Sequence, residues 1–161
     1  MKKLLLIRHA KSSRKFPELD DHERPLNRRG ERDSLLMARY LQQQDELPDV
    51  IYSSTAVRAL DFAQIISDEL MVSLVPDLSL YTFDPDELLA ILQHIPESTH
   101  SVAMVGHNPA IHYLANRLTQ TELPKVPTGS ILSLECDIEM WSELATGTAQ
   151  LASFEYPKKH L

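Results

Sequence analysis

The sequence predicts an α/β sandwich with a mostly parallel central sheet. Three observations carry that prediction. The chain has 161 residues, 43% hydrophobic and 24% charged, which suits a single domain spanning residues 1–161 with a proper buried core. Short strand-like runs alternate with segments of helical spacing through most of the chain. The opening run Leu4-Leu5-Leu6-Ile7 is apolar on both faces, as a strand covered by helices on both sides must be.

The elements follow in order. Lys3 to Ile7 is the first strand and stops at Arg8-His9. Arg28 to about Gln44 is a helix, with Leu35, Leu36, Ala38, Tyr40 and Leu41 at helical spacing and Asn27 as its cap. Asp49 to Tyr52 is a second strand. Ser53, Ser54 and Thr55 offer caps for a helix with Ala56, Leu60, Ala63 and Leu70 near one face, which places Arg58 in its first turns. Val72 to Val75 is a third strand. Asp84-Pro85 opens a helix that buries Leu88, Leu89, Ile91, Leu92 and Ile95 before Pro96 stops it. Ser101 to Val105 is a strongly apolar fourth strand, and the turn Gly106-His107-Asn108-Pro109 leads into a helix through about Leu118. Ile131 to Cys136 and Ala149 to Glu155 are two further strands with no helix between them, so one edge of the sheet is expected to be antiparallel.

Composition excludes several functions. The longest apolar run is far short of a membrane span, and Met1-Lys2-Lys3 leads into a strand without an export signal, so a cytoplasmic protein with no membrane partner is expected. The lone Cys136 supports neither an internal disulfide nor a cysteine-rich metal site. His107 and His112 are five apart, a poor spacing for two ligands on one helix, so no metal and no cofactor is expected. A net charge of −7 argues against nucleic-acid binding through a broad basic surface. That total divides unevenly: residues 1–32 carry +5 and residues 33–161 carry −12, which leaves room for a focused anion site near the start of the chain.

In open α/β sheets ligands bind beyond the carboxyl ends of the strands. The residues in those positions are Arg8-His9 after the first strand, Ser53-Ser54 and then Arg58 after the second, and Gly106-His107-Asn108-Pro109 after the fourth. Two arginines and two histidines would converge on one rim, and the guanidinium fork suits phosphoryl oxygens. A histidine in such a pocket serves either as a phosphate ligand or as a nucleophile. Arginines beside it favour the neutral, nucleophilic imidazole and neutralise charge on the transferring group.

These residues carry a family resemblance. Leu6-Ile7-Arg8-His9-Ala10-Lys11-Ser12 resembles the Arg-His-Gly or Arg-His-Ala signature of the histidine phosphatase superfamily, whose fold is like that of phosphoglycerate mutase. Arg24-Pro25-Leu26-Asn27-Arg28-Arg29-Gly30 is similar to the family's Pro-Leu-Thr-x-x-Gly segment, Ser53-Ser54 to Arg58-Ala59 to its second-arginine segment, and Val105-Gly106-His107-Asn108-Pro109 to its second-histidine segment. The four blocks occur in family order over residues 6–109. Small size, Lys11-Ser12 and Pro127-Thr128-Gly129-Ser130 before a late strand resemble the short SixA-like phosphohistidine phosphatases. The resemblance implies a three-layer α/β/α sandwich with a mixed sheet. It also implies His9 as phosphorylated nucleophile, Arg8 and Arg58 as phosphoryl clamps, His107 as a donor to the phosphoryl group, and Arg24 as an additional phosphate contact.

The chain departs from larger superfamily members at the general acid. Phe83-Asp84-Pro85-Asp86-Glu87 is only a loose match to their acidic segment, leaving Asp86 and Glu87 as candidates, with Asp20, Asp21 and His22 as alternative proton carriers. The SixA-like branch is thought to lack that acid, which an imidazole leaving group tolerates better than an alkoxide does. Asp20 and Asp21 also read as a cap or as ion-pair partners of Arg24 or Arg28, while His22, His94, His100 and His160 are expected to face water.

Three functions follow. The first is a metal-independent phosphatase acting on protein phosphohistidine or a related phosphoramidate. Only about 35 residues separate Ser73 from Asn108, too few for a lid, and an open site suits a protein side chain. The second is a small-molecule phosphomonoesterase, which would need a competent general acid. The third is a non-catalytic phospho-ligand binding module, which has no need of a nucleophile.

Overall fold

The computed structural model describes residues 1–161. Six strands form one sheet: β1 (Lys2–Arg8), β2 (Val50–Ser53), β3 (Leu74–Pro76), β4 (Ser101–Gly106), β5 (Ile131–Cys136) and β6 (Ala149–Glu155). Four helices accompany them: α1 (Arg28–Gln42), α2 (Val57–Leu70), α3 (Pro85–Leu92) and α4 (Ala110–Thr119). The spatial order is β3-β2-β4-β1-β5-β6. β3, β2, β4 and β1 run parallel, whereas β5 pairs antiparallel with β1 and β6 antiparallel with β5. The antiparallel edge is therefore the pair of late strands that no helix separates.

Alternation along β1 and β4 divides the core between two faces, because successive side chains point to opposite sides. Leu4, Leu6, Val102 and Met104 join Leu88, Leu92, Leu114 and Leu118 in the layer of α3 and α4. Leu5, Ile7, Ala103 and Val105 join Met37, Leu41, Phe62 and Ile66 in the layer of α1 and α2. All six residues of β4 are buried, as a central strand covered on both faces requires.

Several local expectations shift. α1 buries Gly30, Asp33, Ser34, Met37, Ala38 and Leu41, so Leu35, Leu36 and Tyr40 lie on its half-buried flanks. The third strand begins at Leu74, not Val72, and pairs only with β2 at the sheet edge. No Ser or Thr side chain caps α2 at its N-cap, Ala56; instead the Ala56 N–H donates to Ser54 Oγ at 3.1 Å. α3 ends at Leu92, with Leu89 and Ile91 half-buried. Asn27 and Asp84 do cap: Asn27 Oδ1 accepts from Gly30 N at 2.8 Å and Asp84 Oδ1 from Asp86 N at 2.9 Å.

Gly30 has a further task. The Lys11 carbonyl accepts from Asn27 N at 3.0 Å, and a Cβ on Gly30 would collide with that same carbonyl. The first turn of α1 therefore lies directly on the loop that follows β1. Gly30→Ala is expected to lower stability by about 1–3 kcal/mol, the usual cost of overpacking against backbone. Denaturant unfolding checks this, and an unchanged midpoint would refute the contact.

Candidate active site

The carboxyl ends of β1, β2 and β4 open onto a polar cavity of about 470 Å³. The structure brings Arg8, His9, Arg24, Arg58 and His107 together around it, with Lys11, Ser12 and Asp21 also in its wall. The parallel register places Arg8 beside Gly106, so the segments carrying His9 and His107 leave the sheet side by side. The two imidazole centroids are 5.3 Å apart.

His9 is buried at the start of the loop after β1. Its Nδ1 lies 2.8 Å from the Ala10 carbonyl, which only accepts, so Nδ1 carries the proton and Nε2 keeps a lone pair. Nε2 faces Arg58 Nε at 3.4 Å. Burial, reinforced by Arg58, Arg8 and Arg24, lowers the His9 pKa to about 4 against the opposing pull of the Ala10 carbonyl. The ring is neutral at physiological pH, and its Nε2 lone pair accepts only the long contact from Arg58 Nε.

His107 sits opposite, its Nε2 2.8 Å from Ser54 Oγ. Ser54 Oγ also accepts from Ala56 N, so the hydroxyl ties His107 to the segment that starts α2. Arg58 Nη2 approaches His107 Nδ1 only at 3.5 Å and has a better acceptor in Asp21 Oδ2 at 2.9 Å. Burial first, then His9 and Arg58, lower the His107 pKa to about 3, with Asp21 pulling the other way. Tyr81 and Phe83 flank the ring, with centroids 5.3 and 5.4 Å away.

Arg58, the second residue of α2, is only 2% exposed. A buried guanidinium needs partners, and Asp21 supplies both: its carbonyl accepts from Nη1 at 2.6 Å and its Oδ2 from Nη2 at 2.9 Å. Asp21 Oδ1 also accepts from Arg24 Nε at 3.1 Å and Nη2 at 3.0 Å, and Oδ2 accepts from the Tyr81 hydroxyl at 2.7 Å. Burial pushes the Asp21 carboxyl up, but the bonds from Tyr81, Arg58 and Arg24 outweigh it and hold the group well below the usual carboxylate range. Asp21 stays ionised at neutral pH and has no proton to give. Its pairing with Arg24 was one of the sequence expectations; its grip on Arg58, 37 residues away, had no sequence signal.

Arg8 is anchored by Nη1 on the Val126 carbonyl at 2.8 Å, while its buried Nε has no hydrogen-bond partner. An orphaned buried donor costs about 1–3 kcal/mol. Arg24 Nη1 is engaged by Ser12 Oγ at 2.8 Å. Asn108 Nδ2 donates to the same Val126 carbonyl at 3.1 Å, tying the segment after β4 to the anchor of Arg8.

The other acid candidates lie elsewhere. Asp86 accepts from Arg117 Nη1 at 2.6 Å with its side chain 74% exposed, and Glu87 accepts from the Thr82 hydroxyl at 2.6 Å. Neither lines the cavity, nor do Asp20 and His22. Capping of α3 explains this: Asp84 starts the helix and turns Asp86 and Glu87 outward over its first turn. His22 does not simply face water, since its Nε2 is 2.8 Å from Thr55 Oγ1 and its ring packs edge-on against Tyr81. His160 is half-buried against Glu155, whereas His94 and His100 are exposed. Arg14, Asn27, Phe83, Asn108 and Thr128 also line the cavity; in the sequence the last four stood out only as members of motif segments, and Arg14 not at all.

The two depressed histidines link stability to pH. Between pH 6.5 and about 3 the unfolded chain binds protons that the folded imidazoles refuse, so stability falls as pH drops through that window, the part due to His9 ending near pH 4 and that due to His107 near pH 3. The loss is expected to be on the order of a few kcal/mol. Urea unfolding at pH 7, 5.5 and 4.5 measures it, and His9→Asn should flatten the slope. An equal slope in that variant would show that His9 is not held neutral by the fold.

Comparison with known proteins agrees with this geometry. The profile of the Histidine phosphatase superfamily (branch 1) matches residues 4–84. An uncharacterized protein of Mycobacterium leprae is 30% identical over 164 residues, covering 94% of this chain and 100% of the relative. A candidate phosphohistidine phosphatase SixA from Nakamurella multipartitia superposes with a TM-score of 0.86 at 25% identity, over 97% of this chain and 96% of that one. The protein histidine phosphatase SixA complexed with tungstate gives 0.82 at 24% identity, over 98% of each chain. The mycobacterial glucosyl-3-phosphoglycerate phosphatase, at 14% identity, shares the fold with a TM-score of 0.74 over 97% of this chain and 100% of that one. With the signature segments assembled around one cavity, the chain belongs to the histidine phosphatase superfamily and has the fold of its SixA-type members.

Proposed function

We propose that the protein is a metal-independent phosphatase that hydrolyses the phosphorus–nitrogen bond of a protein phosphohistidine, or of a comparable phosphoramidate, through a phosphorylated His9. The observation that carries the reading is the tautomer of His9. A neutral imidazole with its Nδ1 proton held by a carbonyl and its Nε2 lone pair engaged only by a long 3.4 Å contact from Arg58 Nε is a nucleophile that no binding module requires.

In the first step His9 Nε2 attacks phosphorus, and the bond from phosphorus to the substrate imidazole breaks. The leaving nitrogen keeps that electron pair and takes a proton from solvent. Arg8 and Arg58 hold the phosphoryl oxygens, Arg24 adds charge at the rim, and His107, on the opposite wall from His9, is a further contact to the phosphoryl group. In the second step water attacks the phosphoenzyme, the electron pair returns to Nε2, and inorganic phosphate departs as the water proton passes to solvent. The guanidinium charges stabilise the transferring group at both steps.

The lack of a protonated carboxyl in the cavity favours an imidazole leaving group. An alkoxide would need a proton in the transition state, and Asp86 and Glu87 face away from where it would leave. That a SixA protein of the same fold is complexed with tungstate, a phosphate-like oxyanion, supports binding of an anion. The lack of a membrane-spanning helix and the acidic overall charge are consistent with action in the cytoplasm.

Rapid alkaline quenching after mixing with a phosphohistidine protein should trap an alkali-stable, acid-labile phosphate on wild-type protein and none on His9→Ala, whose turnover should fall at least about a thousandfold. Asp86→Asn and Glu87→Gln should leave phosphoramidate turnover within about twofold. Hydrolysis by His9→Ala at the wild-type rate would overturn the covalent mechanism. Binding of the phosphoprotein with no turnover by wild type would make the protein a binding module.

A further inference from the structure

A second cavity, of about 440 Å³, adjoins the phosphate pocket and shares Arg8, Lys11 and Thr128 with it. Arg29, Lys125 and Lys158 complete its charged lining, and no carboxylate contributes to it. Five cations around one concavity are unexpected in a chain of net charge −7, since like charges brought together repel and oppose the compact state. Arg29 has Asp33 at 3.5 Å, but Lys11, Lys125 and Lys158 have no carboxylate within ion-pairing distance.

The arrangement is assembled from four separate parts of the chain. Lys11 follows β1, Arg29 lies in the first turn of α1, Lys125 precedes β5, and Lys158 sits in the 3-10 turn Pro157–His160. Gly129 brings two of these parts together. At φ +78° its N–H donates to the His9 carbonyl at 2.9 Å, and a Cβ there would stand 2.9 Å from Pro157 Cγ. The segment bearing Lys125 and Thr128 is thereby joined on one side to the loop of His9 and on the other to the turn of Lys158. Arg8, anchored on Val126, forms part of the wall between the two cavities.

We infer that this cavity is a second anion subsite, which receives a negatively charged group carried by the substrate beside the phosphoryl group. The inference rests on the phosphatase reading and adds to it a preference among substrates. The same chemistry serves two sources: carboxylates flanking a phosphohistidine on a protein, or the second phosphate of a bisphosphorylated small molecule. Both would be drawn by exposed charges and screened by salt, so the effect falls on KM and not on kcat.

The test compares wild type with K125E/K158E, which alters exposed side chains away from the histidines. The substrates are phosphoramidate, too small to reach the subsite, and two phosphohistidine peptides that differ only in flanking Glu or Gln. A hexose bisphosphate and the matching monophosphate serve as competitive ligands. Wild type should prefer the Glu peptide, or bind the bisphosphate more tightly, by about tenfold at low salt. The double variant should lose that preference while phosphoramidate turnover stays within about twofold. Preference confined to the peptide pair identifies a protein partner, and preference confined to the sugar pair identifies a small molecule. Wild type that discriminates in neither pair, or a double variant that discriminates equally, overturns the subsite. If wild type fails on phosphoramidate and on both peptides, the phosphatase reading fails separately, and calorimetric titration with the two sugar phosphates still decides the subsite.

Discussion

Everything at the mouth of the sheet depends on one buried cation. Arg58 enters a site from which water is nearly excluded, and a guanidinium there is tolerated only if its donors are met. Asp21 meets two of them, one with its carbonyl and one with its carboxylate. The 3-10 turn Asp21–Glu23 is thus pinned across the cavity to the start of α2. Held there, Arg58 directs its Nε–H at His9 and its charge at both imidazoles. The same Asp21 orients Arg24 and the Tyr81 hydroxyl, so one carboxylate organises two arginines and the aromatic flank of His107.

The sheet explains why these groups can meet. β1 and β4 are adjacent, parallel and covered on both faces, so the segments leaving them are held by two hydrophobic layers. β2, on the other side of β4, delivers Ser54 and the start of α2 to the same end. Right behind the site two glycines allow close approach: Gly30 against the Lys11 backbone and Gly129 against the Pro157 ring, each where a side chain would not fit. The rigidity of the rim follows from such close approaches as well as from the core beneath it.

Electrostatics then divides the labour. Burial keeps His9 and His107 neutral, while arginines, which hold their charge even when desolvated, supply the positive field. The carboxylate in the cavity is locked in its ionised form by the cations it serves, which removes it from proton transfer. A site built this way stabilises a transferring phosphoryl group well and protonates a leaving group poorly. The proposed preference for an imidazole leaving group rests on that property.

Much of this was legible in the chain. The apolar runs of β1 and β4 announced central strands, the caps Asn27 and Asp84 announced helix starts, and four short motifs in family order located His9, Arg8, Arg58, His107 and Arg24. Local patterning carries that information because periodicity and capping act over a few residues. What lay beyond it were relations between distant residues: Asp21 with Arg58, Ser54 beneath His107, Val126 joining Arg8 to Asn108, and Lys158 approaching Lys11. The outward turn of Asp86 and Glu87 was equally hidden, since an acidic pair in a helix's first turn reads the same whichever way that helix is rotated on the sheet. The sequence by itself determined which groups reach the mouth of the sheet. Only the tertiary structure decided which of their protons and charges are free, because that depends on burial and hydrogen-bond partners supplied from across the fold.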